Sequence, residues 1–197
     1  MKLYFRHGVM GSGKTTHLLQ VVYNYEIRDM KVLVCKPIID TKGNDSIVSR
    51  LGISRKVDVL ISNEMNILEY IKEKLKESTI DALVVDESQF LTEEQVMQLL
   101  EIATKYNIAV ICYGLKSDFL LNPFPGSSKL MTVAQDIEEL KHICSCGKKA
   151  TINIRKQDGK ICLTGEQVLI DNSSKVEYEA VCAECYFKII DRIKENK

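Results

Sequence analysis

Residues Gly8-Val-Met-Gly-Ser-Gly-Lys-Thr15 complete the pattern G-x-x-x-x-G-K-[ST], with an additional glycine, Gly11, inside the loop. A short apolar-rich stretch, Leu3 to Arg6, stands ahead of them, and behind them Leu18, Leu19, Val22 and Tyr25 recur at helical spacing. Strand, glycine loop and helix in that order predict a cradle for phosphate. Glycines let successive backbone N–H groups turn inward around anionic oxygens, and the helix N-terminus adds the positive end of its dipole. In such a loop Lys14 bridges the β- and γ-phosphates of a nucleotide, and the Thr15 hydroxyl helps to hold Mg²⁺. A glycine-rich turn that matches by accident is the competing reading, against which the flanking strand and helix weigh.

Downstream, Lys31 to Cys35 reads as a fully buried strand, and Ile67, Leu68, Ile71 and Leu75 mark an amphipathic helix. Ala82-Leu-Val-Val85 is a short apolar strand that ends abruptly in Asp86-Glu87. Thr92-Glu-Glu-Gln95 has the form of a capping box and opens a helix with Val96, Leu99, Leu100 and Ala103 on one face. Ile108-Ala-Val-Ile-Cys112 is the next buried strand. Continuously apolar strands alternating with amphipathic helices predict an α/β fold, a parallel sheet covered by helices on both faces. Residues 1–141 are expected to form this nucleotide-binding domain. Residues 142–197 are expected to form a second, smaller unit with a C-terminal tail; within it residues 142–187 have two cysteine pairs, a polar hairpin around Gln157-Asp-Gly-Lys160 and little apolar periodicity, so they need a staple in place of a large core. The polar stretch from Asp40 to Ser46 has no clear periodicity and is a candidate binding loop.

The chain has 197 residues, with Lys+Arg and Asp+Glu both at 27, so the formal net charge is zero. A dedicated nucleic-acid binder would need clustered cationic surface, so no stable nucleic-acid partner is expected. The N-terminus runs from a short apolar stretch straight into the glycine loop, unlike a signal peptide, and no apolar run reaches the roughly 20 residues of a membrane span. The expectation is a cytoplasmic protein with no membrane partner. Its cysteines should then be free, catalytic or metal-bound. Cys35 and Cys112 lie in apolar strands and read as inert buried thiols; Cys162, alone in a polar hairpin, is assigned no role.

Asp86 follows its strand directly, where an open parallel sheet delivers residues to the ligand crevice. In a phosphate-loop protein it is the expected partner of Mg²⁺. Glu87 has no burial reason of its own and is the candidate general base toward an acceptor hydroxyl. The alternative is that both acids merely favour the N-terminal end of the coming helix. Cys144-Ser-Cys146 and Cys182-Ala-Glu-Cys185 are two half-sites that together make a four-thiolate tetrahedral site suited to structural Zn²⁺, since four protein ligands leave no open position. A reactive dithiol at Cys182 and Cys185 is the competing reading, but the βαβ context that would favour it is missing.

With these pieces in order the chain resembles the zinc-containing (type II) thymidine kinase family, bacterial branch, over nearly its whole length. The matching segments are Gly8 to Thr15, Asp86-Glu-Ser-Gln-Phe90, Tyr113-Gly-Leu-Lys-Ser-Asp-Phe119, Ile143 to Ala150, Gly165-Glu-Gln-Val-Leu-Ile170 and Tyr178 to Cys185. The resemblance implies transfer of the γ-phosphate of ATP to the 5′-hydroxyl of thymidine, and also of deoxyuridine, in nucleotide salvage. It assigns the base to Glu87 and contacts with the ATP phosphates to Gly8, Val9, Met10, Gly11, Ser12, Gly13, Lys14, Thr15, Asp86, Glu87, Ser88 and Gln89. Magnesium falls to Thr15 and Asp86. The nucleoside pocket falls to Met10, Asp40, Phe90, Leu115, Phe119, Leu169 and Tyr178; without the resemblance, Phe90 and Phe119 would read as core aromatics. It also implies a small zinc-ribbon-like subdomain held by Cys144, Cys146, Cys182 and Cys185, a lasso from about Gly165 to Tyr178 over the base, a homotetramer, and feedback inhibition by thymidine triphosphate. Two departures stand out: Asp171-Asn172 replaces a usual Gly-Gly in the lasso, and Lys42 stands where an Arg is common, keeping charge without bidentate geometry. His7, His17 and His142 match no catalytic position.

Two other functions share part of this pattern. Another phosphate-loop kinase or ATPase with a zinc ribbon would use the same loop, Asp86 and cysteines. A zinc-ribbon nucleic-acid adaptor using ATP as a switch would too, but the balanced charge disfavours it.

Overall fold

The computed structural model describes residues 1–40, 45–167 and 176–195. The chain begins with β1 (Leu3–His7), passes through the glycine loop into α1 (Lys14–Glu26), and returns through β2 (Val32–Pro37). A small hairpin, β3 (Ser46–Val48) and β4 (Ser54–Lys56), precedes β5 (Val59–Ile61), α2 (Ile67–Glu77) and β6 (Ala82–Val85). A single 3-10 turn, Ser88–Phe90, leads to α3 (Glu93–Lys105), β7 (Ala109–Gly114), α4 (Pro125–Val133) and β8 (Asp136–Glu139). The remaining elements are β9 (Ile152–Gln157), β10 (Lys160–Ile161), β11 (Val176–Val181) and α5 (Ala183–Glu195).

Six strands form one sheet in the order β5-β2-β6-β7-β1-β8, and every pairing in it is parallel. The α/β expectation therefore holds. Side chains alternate across each strand. On one face Leu3, Phe5, Leu83 and Val85 pack with Ile67, Ile71, Leu99, Ile102 and Leu130 of α2, α3 and α4. On the other, Val34, Ala82 and Val84 pack with Leu18, Leu19 and Val22 of α1. Burying one such aliphatic side chain contributes about 1.5–3 kcal/mol, so two covered faces fix the sheet firmly. The capping box forms as read: Thr92 Oγ1 accepts from the Gln95 N–H, and Gln95 Oε1 accepts from the Thr92 N–H, both at 3.1 Å.

A second, three-stranded antiparallel sheet, β10-β9-β11, carries the C-terminal region. Its apolar cluster is small: Val9, Cys144, Ala150, Ile154, Val181 and Cys182. Val9 of the glycine loop belongs to this cluster, so the two sheets meet at the loop. Helix α5 has no buried residue among those described. No helix among the described residues is long and apolar enough to cross a membrane.

Candidate active site

The glycine loop joins the C-terminal end of β1 to α1 as the sequence predicts. Gly11 and Gly13 have φ of 84° and 80°, left-handed values that side-chain-bearing residues rarely adopt, and Gly13 is the N-cap of α1. The Lys14 ammonium is buried inside the turn and donates to the carbonyls of Gly8 at 3.0 Å and Val9 at 2.9 Å. Ser12 Oγ is buried in the same loop without a protein hydrogen-bond partner. Left-handed glycines, a helix N-terminus, a caged ammonium and a spare hydroxyl together fit an anionic oxygen cluster.

Asp86 and Glu87 leave the end of β6, two strands from β1 with β7 between them. Asp86 is 5% exposed, and its Oδ1 accepts from the Glu87 N–H at 3.0 Å. Burial and then the adjacent Glu87 carboxylate push the Asp86 carboxyl up to about 7, against the pull of Lys14. A buried carboxylate so placed is a natural partner for a divalent cation, which removes the cost of its charge. Glu87 adopts φ 47°, strained for a residue with a side chain. Its neighbours hold it there: Gln89 Nε2 donates to Glu87 Oε2 at 2.5 Å, and Gln89 Oε1 accepts from the Leu115 N–H at 3.0 Å. Ser88 Oγ donates to the Tyr113 carbonyl at 2.8 Å. The D-E-x-Q-F and Y-G-L-x-x-D-F segments are thus stitched together, and Gln89 ties the orientation of Glu87 to the backbone at Leu115.

Asp40 lies near enough to raise Asp86 electrostatically, and it pairs with Lys36 at 3.0 Å. Lys36 is 1% exposed at the end of β2, so a buried ammonium stands beside the acidic group. Phe90 packs edge-on against Phe124 with ring centroids 5.7 Å apart. Phe119 is buried beneath the guanidinium of Arg155, whose Cζ is 3.6 Å from the ring centroid. Tyr178 on β11 is the register partner of Arg155 on β9. Met10 is joined to the C-terminal sheet, its N–H donating to Asn153 Oδ1 at 2.8 Å. Leu169 and Lys42, and most of the expected lasso, lie outside the described residues.

Cys144, Cys146, Cys182 and Cys185 converge, with their sulfurs all within 4.8 Å of one another. A tetrahedral zinc with metal–sulfur bonds of about 2.3 Å has sulfur–sulfur edges of about 3.8 Å, so the residues fit. The Cys185 N–H also donates to Cys182 Sγ at 3.4 Å, the kind of bond that favours a thiolate. Backbone hydrogen bonds at Cys146 and Cys182 pull Cys144 down to about 6, while hydrogen bonding to Cys146, Cys182 and Cys144 pushes Cys185 up to about 12. A divalent cation resolves that competition by taking all four as thiolates. Cys35 and Cys112 are buried, and burial pushes both thiols far above their ordinary range, in keeping with inert core residues.

Sequence reading passed over Lys36, Asn153 and Arg155. Lys36 carries a signal, a charge continuing the apolar run Val-Leu-Val-Cys; Asn153 and Arg155 carry none, because their partners are remote in the chain. His17 acquires a structural partner, its Nδ1 lying 2.8 Å from the Tyr113 hydroxyl.

The family model described as "Thymidine kinase" matches residues 1–186. Among curated proteins, the thymidine kinase of Francisella tularensis strain SCHU S4 is 42% identical over 186 residues, covering 92% of this chain and 94% of its own. That of Chromobacterium violaceum is 42% identical over 187 residues, 94% of this chain and 97% of its own. That of Haemophilus influenzae strain Rd is 42% identical over 183 residues, 92% and 93% of the respective chains.

Proposed function

The chain belongs to the thymidine kinase family, and we propose that the residues described above transfer the γ-phosphate of ATP to the 5′-hydroxyl of thymidine. One observation carries the assignment of roles: at the mouth of β6 Asp86 is buried and Glu87 half-buried beside it, with Lys14 of the glycine loop close enough to act on Asp86 electrostatically. Donor phosphates and acceptor hydroxyl then meet between β1 and β6.

Phosphoryl transfer asks for positioning and charge stabilisation more than for covalent chemistry. The loop N–H groups, the Ser12 hydroxyl and the Lys14 ammonium hold the triphosphate. Thr15 and Asp86 would hold Mg²⁺, which when bound neutralises charge on the phosphates. Glu87 orients the 5′-hydroxyl and accepts its proton as that oxygen bonds to the γ-phosphorus and ADP departs. Gln89 holds one carboxylate oxygen of Glu87, leaving the other for the substrate. Ser88 supports the turn through Tyr113.

Met10, Asp40, Phe90, Leu115, Phe119 and Tyr178 form the nucleoside side in this reading, and Leu169 would join them from the segment outside the described residues. Deoxyuridine, which lacks only the methyl group of the pyrimidine, is a second substrate in this reading. The four cysteines would hold a structural zinc that keeps the unit 142–197 ordered beside the α/β domain 1–141. Assembly as a homotetramer, inhibition by thymidine triphosphate and a place in cytoplasmic nucleotide salvage belong to the same reading. The test is ADP formation from Mg-ATP across a panel of nucleosides. Thymidine should give the highest kcat/KM with deoxyuridine next; turnover with some other acceptor and none with thymidine would overturn it.

A further inference from the structure

Arg155 lies in the middle of β9 with 2% of its surface exposed, and no carboxylate pairs with it among the described residues. A buried guanidinium is costly unless its donors are fully used. Here they are not. Nη1 donates to the Glu166 carbonyl at 2.8 Å, Nη2 makes a long 3.5 Å contact with the Thr164 carbonyl, and Nε has no protein partner. An apolar residue of similar volume would serve the core at least as well. What the guanidinium adds is geometry.

Three elements meet on it. Its Cζ lies over the Phe119 ring, 3.6 Å from the centroid, which fixes it against the Y-G-L-x-x-D-F segment of the α/β region. Its fork holds the carbonyls on both sides of Gly165, where φ is 128° and an added Cβ would collide with Nη2. In the β9/β11 ladder it stands directly opposite Tyr178, and directly opposed residues project from the same face of a sheet. A second tie lies alongside: Gln167 Nε2 donates to Asp118 Oδ2 at 3.1 Å, and Oδ1 of that buried Asp118 caps the N–H groups of Leu120 and Asn122. The chain thus leaves β10 and re-enters at β11 with both ends referred to one side chain.

We propose that Arg155 is a positioning residue for the nucleoside: it fastens residues 164–167 to Phe119 and aligns Tyr178 with them, setting thymidine affinity without acting on the phosphates. This rests on the thymidine kinase reading of the site.

The experiment is steady-state kinetics on Arg155→Met and Arg155→Lys, with zinc analysis and amide exchange over residues 164–167. Arg155→Met keeps an unbranched stem on Phe119 and removes the fork. The thymidine KM should rise about tenfold or more, the ATP KM should stay within about twofold, bound zinc should be retained, and exchange at 164–167 should quicken. Arg155→Lys, able to reach only one carbonyl, should fall between Met and wild type. If Arg155→Met does not fold, Gly165→Ala, at an exposed turn, crowds Nη2 and should give the same selective rise. A thymidine KM within about twofold of wild type in whichever variant folds, or equal rises for both substrates, overturns the proposal. Wild-type enzyme that fails to phosphorylate thymidine would sink the underlying reading instead.

Discussion

The six-stranded sheet and the cysteine-bearing sheet reach order by opposite routes. In the first, Leu83, Val84 and Val85 are 0% exposed between helices on both faces, and their position follows from apolar burial alone. In the second, a cluster of six buried residues includes two of the four converging cysteines, and α5 packs no residue fully away from solvent among those described. The contrast divides the chemistry. Lys14, Asp86 and Glu87, the groups proposed to handle the phosphates and the proton, stand on the region that holds itself. Tyr178, residues 164–167 and Arg155, the groups proposed to form or position the nucleoside side, stand on the region with the smaller core, where the four cysteines converge.

The largest effect expected from this division is that of chelation. A structural zinc contributes on the order of 10 kcal/mol or more to folding its own site. Stripping it should abolish amide protection across β9, β11 and the cysteines and raise the thymidine KM beyond measurement. Protection in β6 and β7, and ATP binding, should survive. Simultaneous loss of protection in both regions, followed by mass spectrometry, would erase the comparison. Next in size, Glu87→Gln should lower turnover by about 10²–10⁴ while thymidine binding by calorimetry and bound zinc stay near wild type, because the base acts from the self-supporting side. Turnover near that of the wild type would remove Glu87 as base. Smallest, Leu99→Ala empties a 0% exposed site between α3 and the sheet and should cost about 2–5 kcal/mol in chemical denaturation. Zinc content of the folded variant should not change; if it fell in parallel, the two regions would share one core.

The same division explains what is legible in the sequence. The glycine loop, β6 with its acidic pair, the capping box and the cysteine pairs each announce themselves locally, through spacing or an apolar run ending in charge. Helix α4 does not. Its opening Pro125-Gly-Ser-Ser has poor helix propensity, and the glycine answers to a remote contact, since a Cβ at Gly126 would clash with the carbonyls of Ser88, Gln89 and Leu91. Edge strand β8, Asp-Ile-Glu-Glu, is hidden by its polarity, since it pairs with β1 along one side only. Arg155 and Asn153 are invisible for a different reason. Their meaning lies in Phe119, Glu166 and Met10, contacts that no local period encodes.

The interposed strand β7 has a consequence for reach. Neighbouring strands lie about 4.8 Å apart, so the ends of β1 and β6 are offset by about 10 Å across the sheet. The interposed strand thus makes the sheet itself a ruler between the glycine loop and the acidic pair, and a shift in strand register would alter that separation before it was felt as a loss of fold.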